Sequence, residues 1–437
     1  MNVFDGPNQV VETNDEAWNT LLEDLFSLAR KGMILGLERL TPYLEKLGHP
    51  QNDLTYVHVA GTNGKGSTCA FLASILAHAG YSVTVYSSPH LECLTERVAY
   101  FNQGQRKHLS RSTWSAVLSE IKSLSNGFED LTFFEVITLA ALKLMNDLKP
   151  DFAIVEAGLG ARLDATRVVN ASVSVLTDVG LDHCQYLGDT VEEILAEKLA
   201  VVRPSCALVS AVRHESVLNR CVETKSPLYR IGIELEAVGT ADKTFKFRLP
   251  DMVLESVRLG LAGEHQSRNA LLAAQTARLL VSKLDASQIT AGLAAAKWPG
   301  RLEHGRDQQG IEFLLDGAHN PAAAQKLAEY LRVNTDCPVH AVVGVMRDKD
   351  IAGIVHPMIE HVTSWTVTYG NSPRFSQVNI ITDVLRGFGV RQVGEESSPI
   401  AAYTRASSKC QGDGGLVVVF GSLILIGELR GKLATCS

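Results

Sequence analysis

Residues 56–68 restrict the fold of this chain more than any other stretch of its sequence. Residues 56–60 form a short apolar run typical of a β-strand, and residues 61–66 form a glycine-rich turn. The apolar-periodic segment that follows ends at Gly80 and predicts a helix. This order of elements directs backbone N–H groups and the positive end of a helix dipole at one point, and Lys65 adds a mobile cation. The stretch therefore predicts a binding site for a nucleoside triphosphate.

The spacing of this loop differs from that of the usual phosphate-binding loop. The usual pattern has glycine at position 59 and Ser or Thr directly after the lysine. This chain has Val59 and Gly66 at those places, with hydroxyl groups at Ser67 and Thr68. A glycine-rich turn that only connects a strand to a helix is the alternative interpretation.

Composition limits the class of protein. The 437 residues are enough for two or three domains, and the fractions of 46% hydrophobic and 20% charged residues are typical of a globular protein. A net charge of −7 without any Lys/Arg run argues against a nucleic-acid partner. Eight cysteines without a CxxC pair predict reduced thiols in a cytoplasmic protein. Residues 1–11 do not resemble a signal peptide, and no apolar stretch reaches transmembrane length, so no membrane partner is expected.

Polar residues follow the next predicted strands at the end where open α/β sheets bind ligands. Strand 81–86 leads into Ser87, Ser88 and His90, and strand 152–155 leads into Glu156. Strand 172–177 is followed by His183. A carboxylate and a hydroxyl beside a nucleotide loop are the ligands that Mg²⁺ takes together with phosphate oxygens. The alternative is that Glu156 is simply solvated or ion-paired.

The remainder of the chain predicts a second α/β domain. Residues 190–202 read as a helix that begins with a Thr190–Glu193 capping box, and residues 205–254 read as short strands. Residues 298–303 form a breaker cluster, after which strands alternate with helices again. We therefore predict an α/β fold with a P-loop-type parallel-sheet ATPase domain over residues 1–298. A smaller Rossmann-like α/β domain is expected over residues 299–437.

These motifs, together with others along the chain, resemble those of a known family, the dihydrofolate synthase/folylpolyglutamate synthases of the Mur ligase superfamily. The matching motifs occur in the family's order. They are residues 35–39 (Leu-Gly-Leu-Glu-Arg), 58–67, 87–91, 96–97, 133–135, 158–166, 181–183, 197–198, 263–266, 299–303, 316–321 and 421–422.

The resemblance implies an ATP-dependent amide ligase. A folate-type carboxylate would take the γ-phosphoryl group of ATP to give an acyl phosphate, which the amino group of L-glutamate would attack. The expected acceptors are dihydropteroate, (poly)glutamylated reduced folates, or both, and ADP and phosphate are released. Such a reaction needs positioning and neutralisation of phosphate charge more than covalent help from the protein.

The resemblance also implies the site residues. The expected catalytic residues are Lys65, Glu156, His183 and Lys198. The expected ATP contacts are Thr62, Asn63, Gly64, Lys65, Gly66, Ser67, Asn269, Arg301 and Asp316. Two Mg²⁺ ions are expected, with Ser88, Glu156, His183 and a carbamylated Lys198 as ligands. The expected pteroate contacts are Met33, Ile34, Thr132, Phe133, Phe134, Glu135, Leu163, Asp164 and Ala165.

The helical pattern around Lys198 is by itself typical of a surface lysine, so its role as a metal ligand is implied only by the resemblance. Carbamylation requires a neutral amine and replaces a cation with an anionic metal ligand. The chain also departs from the family at Ile34, usually Asp, at Ala161, usually Gly, at Arg167, usually Asn, and in the residues after Lys198. Ile34 and Arg167 border the expected acceptor pocket, so the acceptor is the least determined part of the prediction.

Two other functions stay open from the sequence. One is a ligase with the same mechanism that acts on a non-folate carboxylate, and the other is a nucleotide-binding regulatory protein without catalysis. The motifs at 35–39, 133–135 and 163–166 favour the folate branch, and the complete set of catalytic positions argues against loss of catalysis. The partners are expected to be small-molecule substrates, and the protein is expected to be a monomer.

Overall fold

The structure is a computed structural model that describes residues 3–4, 16–28, 32 and 34–433. The chain forms two compact units. The first contains Met1–His90, Leu94–Gly260 and Ser267–Lys297, and the second contains Leu91–Cys93, Leu261–Gln266 and Trp298–Ser437. The second unit therefore takes two short segments from within the sequence of the first.

The first unit is built on a mostly parallel sheet. Its strands are β1 (Tyr56–Ala60), β2 (Val83–Tyr86), β3 (Val98–Asn102), β4 (Gln105–His108), β5 (Phe152–Glu156), β6 (Ala171–Leu176), β7 (Ala207–Ser210) and β8 (Leu228–Arg230). The strand order is β4-β3-β2-β5-β1-β6-β7-β8. Strands β2, β5, β1, β6, β7 and β8 run parallel, whereas β3 and β4 form an antiparallel hairpin at one edge. This arrangement confirms the predicted parallel-sheet α/β class.

Helices surround this sheet. They are α1 (Glu16–Ser27), α2 (Thr41–Lys46), α3 (Lys65–His78), α4 (Arg111–Leu124), α5 (Phe133–Leu148), α6 (Cys184–Leu187), α7 (Val191–Leu199), α8 (Glu215–Thr224), α9 (Gln266–Leu280) and α10 (Ala286–Ala295). Short 3-10 turns lie at Leu94–Arg97 and Ala165–Val168.

Strand β1 lies in the middle of the sheet and pairs in parallel with β5 on one side and β6 on the other. All of its residues are buried, as expected for a central parallel strand that has helices on both faces. Helix α3 is buried almost all round, so its apolar residues do not form a single stripe. The predicted strand–loop–helix unit therefore lies at the centre of the first unit.

The region expected to contain only short strands is more varied. It contains β7, β8 and a small antiparallel sheet of β9 (Glu236–Gly239), β10 (Phe245–Leu249) and β11 (Met252–Val257), in the order β11-β10-β9. It also contains the helix α8, which the sequence analysis did not predict. His214 caps this helix by accepting a hydrogen bond from the Ser216 N–H, 3.2 Å away. Histidine is not one of the usual N-cap residues, so the start of this helix carries no strong sequence signal.

The second unit has its own, smaller sheet. Its strands are β12 (Glu303–Arg306), β13 (Glu312–Leu315), β14 (Val339–Val343), β15 (Ser364–Val367), β16 (Val393–Glu395) and β17 (Leu416–Phe420). Its helices are α11 (Pro321–Asn334), α12 (Ile351–Val355), α13 (Val378–Gly387), α14 (Pro399–Asp413) and α15 (Leu423–Arg430), with a 3-10 turn at His356–Met358. The strand order is β12-β13-β17-β14-β15-β16, in which only the β12–β13 pair is antiparallel.

The core of the second unit follows the period-two alternation of its strands. Phe313 and Leu315 pack in one cluster with α14 and α15, whereas Leu314 packs in another with α11, α12 and α13. Each face of the sheet is thus covered by its own helices. Across both units, no helix in the described part of the chain is long and apolar enough to cross a membrane.

The contact between α3 and α10 in the first unit generates a prediction about stability. A Cβ atom at Gly292 would overlap the Ile75 Cα atom and lie 3.0 Å from the Ser74 carbonyl oxygen, and the Ser74 hydroxyl already donates to the Gly292 carbonyl oxygen at 2.6 Å. We expect Gly292→Ala to destabilise the protein by about 1–3 kcal/mol because the two backbones must move apart. Circular dichroism melting curves measure this change.

Gly412 provides the matched control, since it lies within helix α14 and a Cβ atom there would have no heavy atom within 4 Å. Gly412→Ala should be neutral or stabilising by up to about 1 kcal/mol, as alanine favours a helix over glycine. Equal melting temperatures for Gly292→Ala and the wild type would contradict the close helix packing.

Candidate active site

The glycine-rich loop lies at the carboxyl end of β1 and is in close contact with two neighbouring elements. Gly61 has φ 152°, and a Cβ atom there would overlap the Thr177 hydroxyl that follows β6. Gly64 has φ 82°, and a Cβ atom there would overlap the side-chain amide of Asn269 on α9. Glycine is required at both positions because there is no room for a side chain and, at Gly64, the backbone is left-handed. The structure thus brings the predicted Asn269 to the loop.

Residues that follow β6 form hydrogen bonds with the glycine-rich loop. The Thr177 hydroxyl donates to the Asn63 carbonyl oxygen at 2.6 Å, and the Asp178 carbonyl oxygen accepts from the Thr62 N–H at 2.9 Å. The Asp178 carboxylate accepts from the Asn63 N–H at 2.5 Å. Burial raises the pKa of Asp178, which the hydrogen bond from Asn63 and the nearby lysines oppose. The sequence analysis did not single out Asp178; its position directly after a predicted strand is the signal that could have found it.

Two lysines meet at one backbone oxygen of this loop. The Lys65 Nζ donates to the carbonyl oxygens of Gly61 and Thr62 at 3.1 and 3.0 Å, and the Lys198 Nζ donates to the Gly61 oxygen at 2.8 Å. Lys198 is only 4% exposed, although the pattern of its helix alone suggests a surface position. Burial, and then the charge of Lys65, lower the pKa of Lys198 from 10.5 to about 7. A substantial share of Lys198 is therefore a neutral amine near neutral pH.

The residues expected to bind metal are at the carboxyl ends of neighbouring strands. Ser88 follows β2 and Glu156 ends β5, and the Ser88 N–H donates to the Glu156 carboxylate at 3.3 Å. His183 precedes α6 and has a left-handed backbone conformation (φ 53°). Its backbone N–H donates to the Asp182 carboxylate at 2.9 Å. The structure thus brings Ser88 and Glu156 together, whereas His183 comes from a separate turn after β6.

The donor set fits a metal that arrives with a nucleotide. Among the described residues, no group of three or more His, Cys, Asp or Glu side chains could hold a metal ion by itself. Mg²⁺ is usually bound by one or two carboxylates, with phosphate and water oxygens completing its shell. Glu156 supplies one carboxylate, and a carbamate on Lys198 would supply a second. The residues present therefore suit Mg²⁺ bound to triphosphate rather than a cage made only of protein.

The residues expected to contact the acceptor form a connected group. Thr132 and Glu135 make a capping box at the start of α5, and the Glu135 carboxylate also pairs with Arg39 at 2.8 Å. Arg39 donates in addition to the Ile34 carbonyl oxygen at 2.8 Å. The Gly36 N–H donates to the Leu163 carbonyl oxygen at 3.3 Å, which joins this group to the 3-10 turn region. Arg39 connects Ile34 to α5, a role that the sequence analysis did not assign.

The remaining expected acceptor residues differ in their roles. Phe134 packs so tightly on Gly158 that a Cβ atom there would overlap the ring. The Asp164 carboxylate accepts from the backbone N–H groups of Leu159 and Thr166 at 2.7 and 3.0 Å, and burial raises the pKa of Asp164. Asp164 therefore holds the turn in which Ala165 is also buried. Met33 lies outside the described residues.

The expected nucleotide residues of the second unit are adjacent to each other. The Asp316 carboxylate accepts from the N–H groups of Leu302 and Ala318 at 2.8 and 2.9 Å. Burial raises the pKa of Asp316, and the charge of Arg301 opposes this effect. A Cβ atom at Gly317 would lie 2.8 Å from the Arg301 guanidinium. Asp316 thus fixes the turn that carries Arg301.

Comparison with known proteins identifies the family. The family model described as "Mur ligase middle domain" matches residues 59–277, and the one described as "Mur ligase, glutamate ligase domain" matches residues 300–423. The dihydrofolate synthase/folylpolyglutamate synthase of Escherichia coli (strain K12) is 38% identical over 361 residues, which cover 82% of each chain. The chain belongs to the dihydrofolate synthase/folylpolyglutamate synthase family of Mur ligases.

Solved structures of this family have the same fold. The structure of E. coli FolC in complex with DHPP and ADP is 32% identical, with a TM-score of 0.83 over 95% of this chain and 97% of that one. The bifunctional folylpolyglutamate synthase/dihydrofolate synthase of Yersinia pestis, complexed with AMPPNP and a Mn ion, is 31% identical, with a TM-score of 0.83 over 95% and 97%. The resemblance and the fold class inferred from the sequence are thus confirmed.

The role of Asp178 generates a prediction. In Asp178→Ala the Asn63 N–H loses its acceptor, so the loop becomes mobile and its remaining amides no longer converge on a phosphate. We expect ADP affinity to fall about tenfold or more, in line with about 1–3 kcal/mol for a buried donor left unsatisfied. Isothermal titration calorimetry with Mg²⁺ and ADP measures the change.

Asp178→Asn is the matched control because its amide oxygen can still accept from the Asn63 N–H. This variant should bind ADP within about threefold of the wild type, a difference of less than about 1 kcal/mol. Unchanged ADP affinity in Asp178→Ala would show that the carboxylate does not position the loop.

Proposed function

We propose that the protein is an ATP-dependent carboxylate–amine ligase that joins L-glutamate to dihydropteroate, to (poly)glutamylated reduced folate, or to both. The acceptor carboxylate attacks the γ-phosphorus of ATP, and the bond from that phosphorus to the β–γ bridging oxygen breaks to release ADP. The amino group of glutamate then attacks the acyl phosphate carbon, loses a proton and displaces inorganic phosphate. Two Mg²⁺ ions would neutralise charge on the phosphates and the acceptor.

The observation that carries this proposal is the meeting of Lys65 and Lys198 at the Gly61 carbonyl oxygen. Lys65, at the N-terminus of α3 beside the glycine-rich loop, favours a polyanionic ligand, and its closeness to Lys198 favours the neutral form of that second amine, which a carbamate requires. Charge cancellation of this kind is the main requirement of phosphoryl transfer. Glu156 and Ser88 on the neighbouring strands are suited to bring the metal ions to the same phosphates.

Each side chain then has a separate task. Lys65 and the amides of residues 62–67 hold the β- and γ-phosphates, and Asn269 contacts the nucleotide beside Gly64. Ser88, Glu156 and His183 would hold the metal ions, and Arg301 and Asp316 are proposed as further nucleotide contacts. Lys198 becomes a carbamate and acts as a further metal ligand. The acceptor lies along Ile34, residues 132–135 and residues 163–165.

A related ligase acting on a non-folate carboxylate is the second candidate. It is favoured by Ile34, which is 47% exposed where the family usually has aspartate, and by Arg167, which replaces the usual asparagine. Burial lowers the pKa of Arg167, and the backbone oxygen of this residue accepts a hydrogen bond from Arg203.

The cytoplasmic location and the monomeric state stay predictions.

An assay of phosphate release tests the function directly. We expect release to require ATP, Mg²⁺, L-glutamate and a pteroate-type acceptor together, because the acyl phosphate forms only when the acceptor is bound and turns over only when the amine attacks. Dihydropteroate, tetrahydrofolate and unrelated carboxylates should be compared in parallel, with product mass measured for each. Turnover only with a non-folate carboxylate would favour the second candidate, and turnover without glutamate would contradict a ligase.

Ligase activity is expected to depend on carbon dioxide, because Lys198 acts as a carbamate. A carbamate forms when the neutral amine attacks CO₂ and releases a proton, and with a pKa of about 7 the neutral fraction rises steeply as pH increases through 7. Enzyme depleted of CO₂ should therefore be reactivated faster at about pH 8 than at about pH 6 when both buffers are equilibrated with the same partial pressure of CO₂, so that only the neutral fraction of the amine differs. The rate of reactivation, followed by phosphate release, measures this dependence.

Lys198→Ala should lose ligation while it still binds ADP, since Lys65 and the loop remain. Lys122→Ala on α4 is the control, because Lys122 forms an ion pair with Asp24 at 2.6 Å and is not among the site residues. Full ligase activity of Lys198→Ala, or reactivation that becomes slower as pH rises, would contradict the carbamate.

A further inference from the structure

Phe26, near the end of α1, is an apolar side chain with an unusual degree of exposure. It is 44% exposed, yet its ring stacks on the ring of Phe133, with the centroids 5.7 Å apart and the planes 16° apart. Phe133 is the first residue of α5, directly after the Thr132 cap. Phe26 is not among the family positions that the sequence analysis assigned to the acceptor.

The surroundings of Phe26 hold it in a defined place. Its ring lies 6.4 Å from that of His90, and the Arg97 guanidinium lies 5.5 Å from the centroid of Phe133. The Arg97 Nε–H donates to the His90 Nδ1 at 3.0 Å. The exposed ring of Phe26 is therefore supported by fixed neighbours.

A second exposed apolar side chain borders the same group of residues. Ile34 is 47% exposed, and Arg39 connects its carbonyl oxygen to Glu135, which lies in the first turn of α5 together with Phe133. Two large apolar side chains thus remain in contact with water where the expected acceptor residues lie. A planar apolar group that covered them would be stabilised by burial of this surface.

We propose that Phe26 is a specificity-determining residue whose ring stacks on a planar aromatic ring of the acceptor. This inference rests on the proposed function and adds to it a residue from α1. Offset stacking of aromatic rings provides about 0.5–1.5 kcal/mol beyond the burial of area. Phe26 therefore selects acceptors that carry aromatic rings over aliphatic carboxylates, and it takes no part in the chemistry at Lys65 or Glu156.

The competing explanation is that Phe26 only covers Phe133 and stabilises α1. The two roles differ in what they require of the side chain. Covering Phe133 needs apolar volume, which leucine can supply, whereas stacking on a ligand needs a ring. They also differ in which substrate is affected, because a structural defect would disturb ATP and acceptor alike.

The test compares Phe26→Ala, Phe26→Leu and Phe26→Tyr with the wild type. KM for dihydropteroate, ATP and glutamate is measured from phosphate release, and dihydropteroate binding is measured separately by equilibrium dialysis. Phe388→Ala is the matched control, since Phe388 is 39% exposed and its ring lies 5.0 Å from that of His356 in the second unit. Melting curves of every variant report on folding.

We expect Phe26→Leu to weaken dihydropteroate binding and raise its KM about fivefold, the middle of the range for the loss of one stacking contact, and Phe26→Ala to do so about tenfold because buried apolar area is lost as well. KM for ATP should stay within about twofold of the wild type in both variants, because Phe26 is not among the residues proposed to contact ATP. Phe26→Tyr should retain the acceptor affinity, and Phe388→Ala should change nothing.

Dihydropteroate affinity in Phe26→Leu equal to that of the wild type would overturn the proposal, because apolar volume would then be sufficient. A parallel rise of KM for ATP and acceptor would overturn it as well and identify Phe26 as structural. If instead the wild-type protein neither binds nor uses dihydropteroate, the proposed function itself fails. The two failures are therefore distinguished by the wild-type measurement alone.

Discussion

The hydrogen bonds at the Gly61 carbonyl oxygen are the interaction on which the candidate site depends. This oxygen accepts from Lys65 within the loop and from Lys198, which is far away in sequence on α7. Its position is set by a φ of 152° and by the Thr177 hydroxyl, which occupies the place of a side chain at Gly61. Any residue larger than glycine would separate β1 from β6 and move both amines. The loop and the two lysines beside it take their positions from this point.

The same contact explains why one lysine has unusual chemistry. Lys198 is buried, and its most direct partner is a carbonyl oxygen, which is a weaker counterpart to an ammonium group than a carboxylate. Burial and the charge of Lys65 lower the pKa of Lys198, whereas the more distant Asp178 and Asp182 oppose this effect. The fold thus raises the share of neutral amine far above that of an exposed lysine. An amine in this state can react with CO₂, and the carbamate would then carry the negative charge that offsets Lys65 and the metal ions.

The parts of this structure that could be predicted from the sequence are those with local signals. Strand β1 and helix α3 follow from an apolar run and a glycine-rich turn, and the Thr190–Glu193 capping box starts α7 as expected. The burial of Lys198 could not be predicted, because it depends on a carbonyl oxygen 137 residues away. The polar strand β4 and the histidine-capped α8 carry weak signals, and the inclusion of Leu91–Cys93 in the second unit depends on packing against Gly300 and Gly427.

Carboxylates with similar sequence signals differ in the hydrogen bonds that they accept within their own units. Both oxygens of Asp316 accept from backbone N–H groups, and Asp164 likewise accepts from the backbone of its own turn. Such carboxylates are largely satisfied by the fold, so their first effect is to fix the turns that present Arg301 and Ala165. Glu156 accepts a longer bond of 3.3 Å from the Ser88 N–H at the end of a central strand. In the proposed function the Glu156 carboxylate would exchange this contact for a metal ion, since Mg²⁺ takes carboxylate oxygens as ligands.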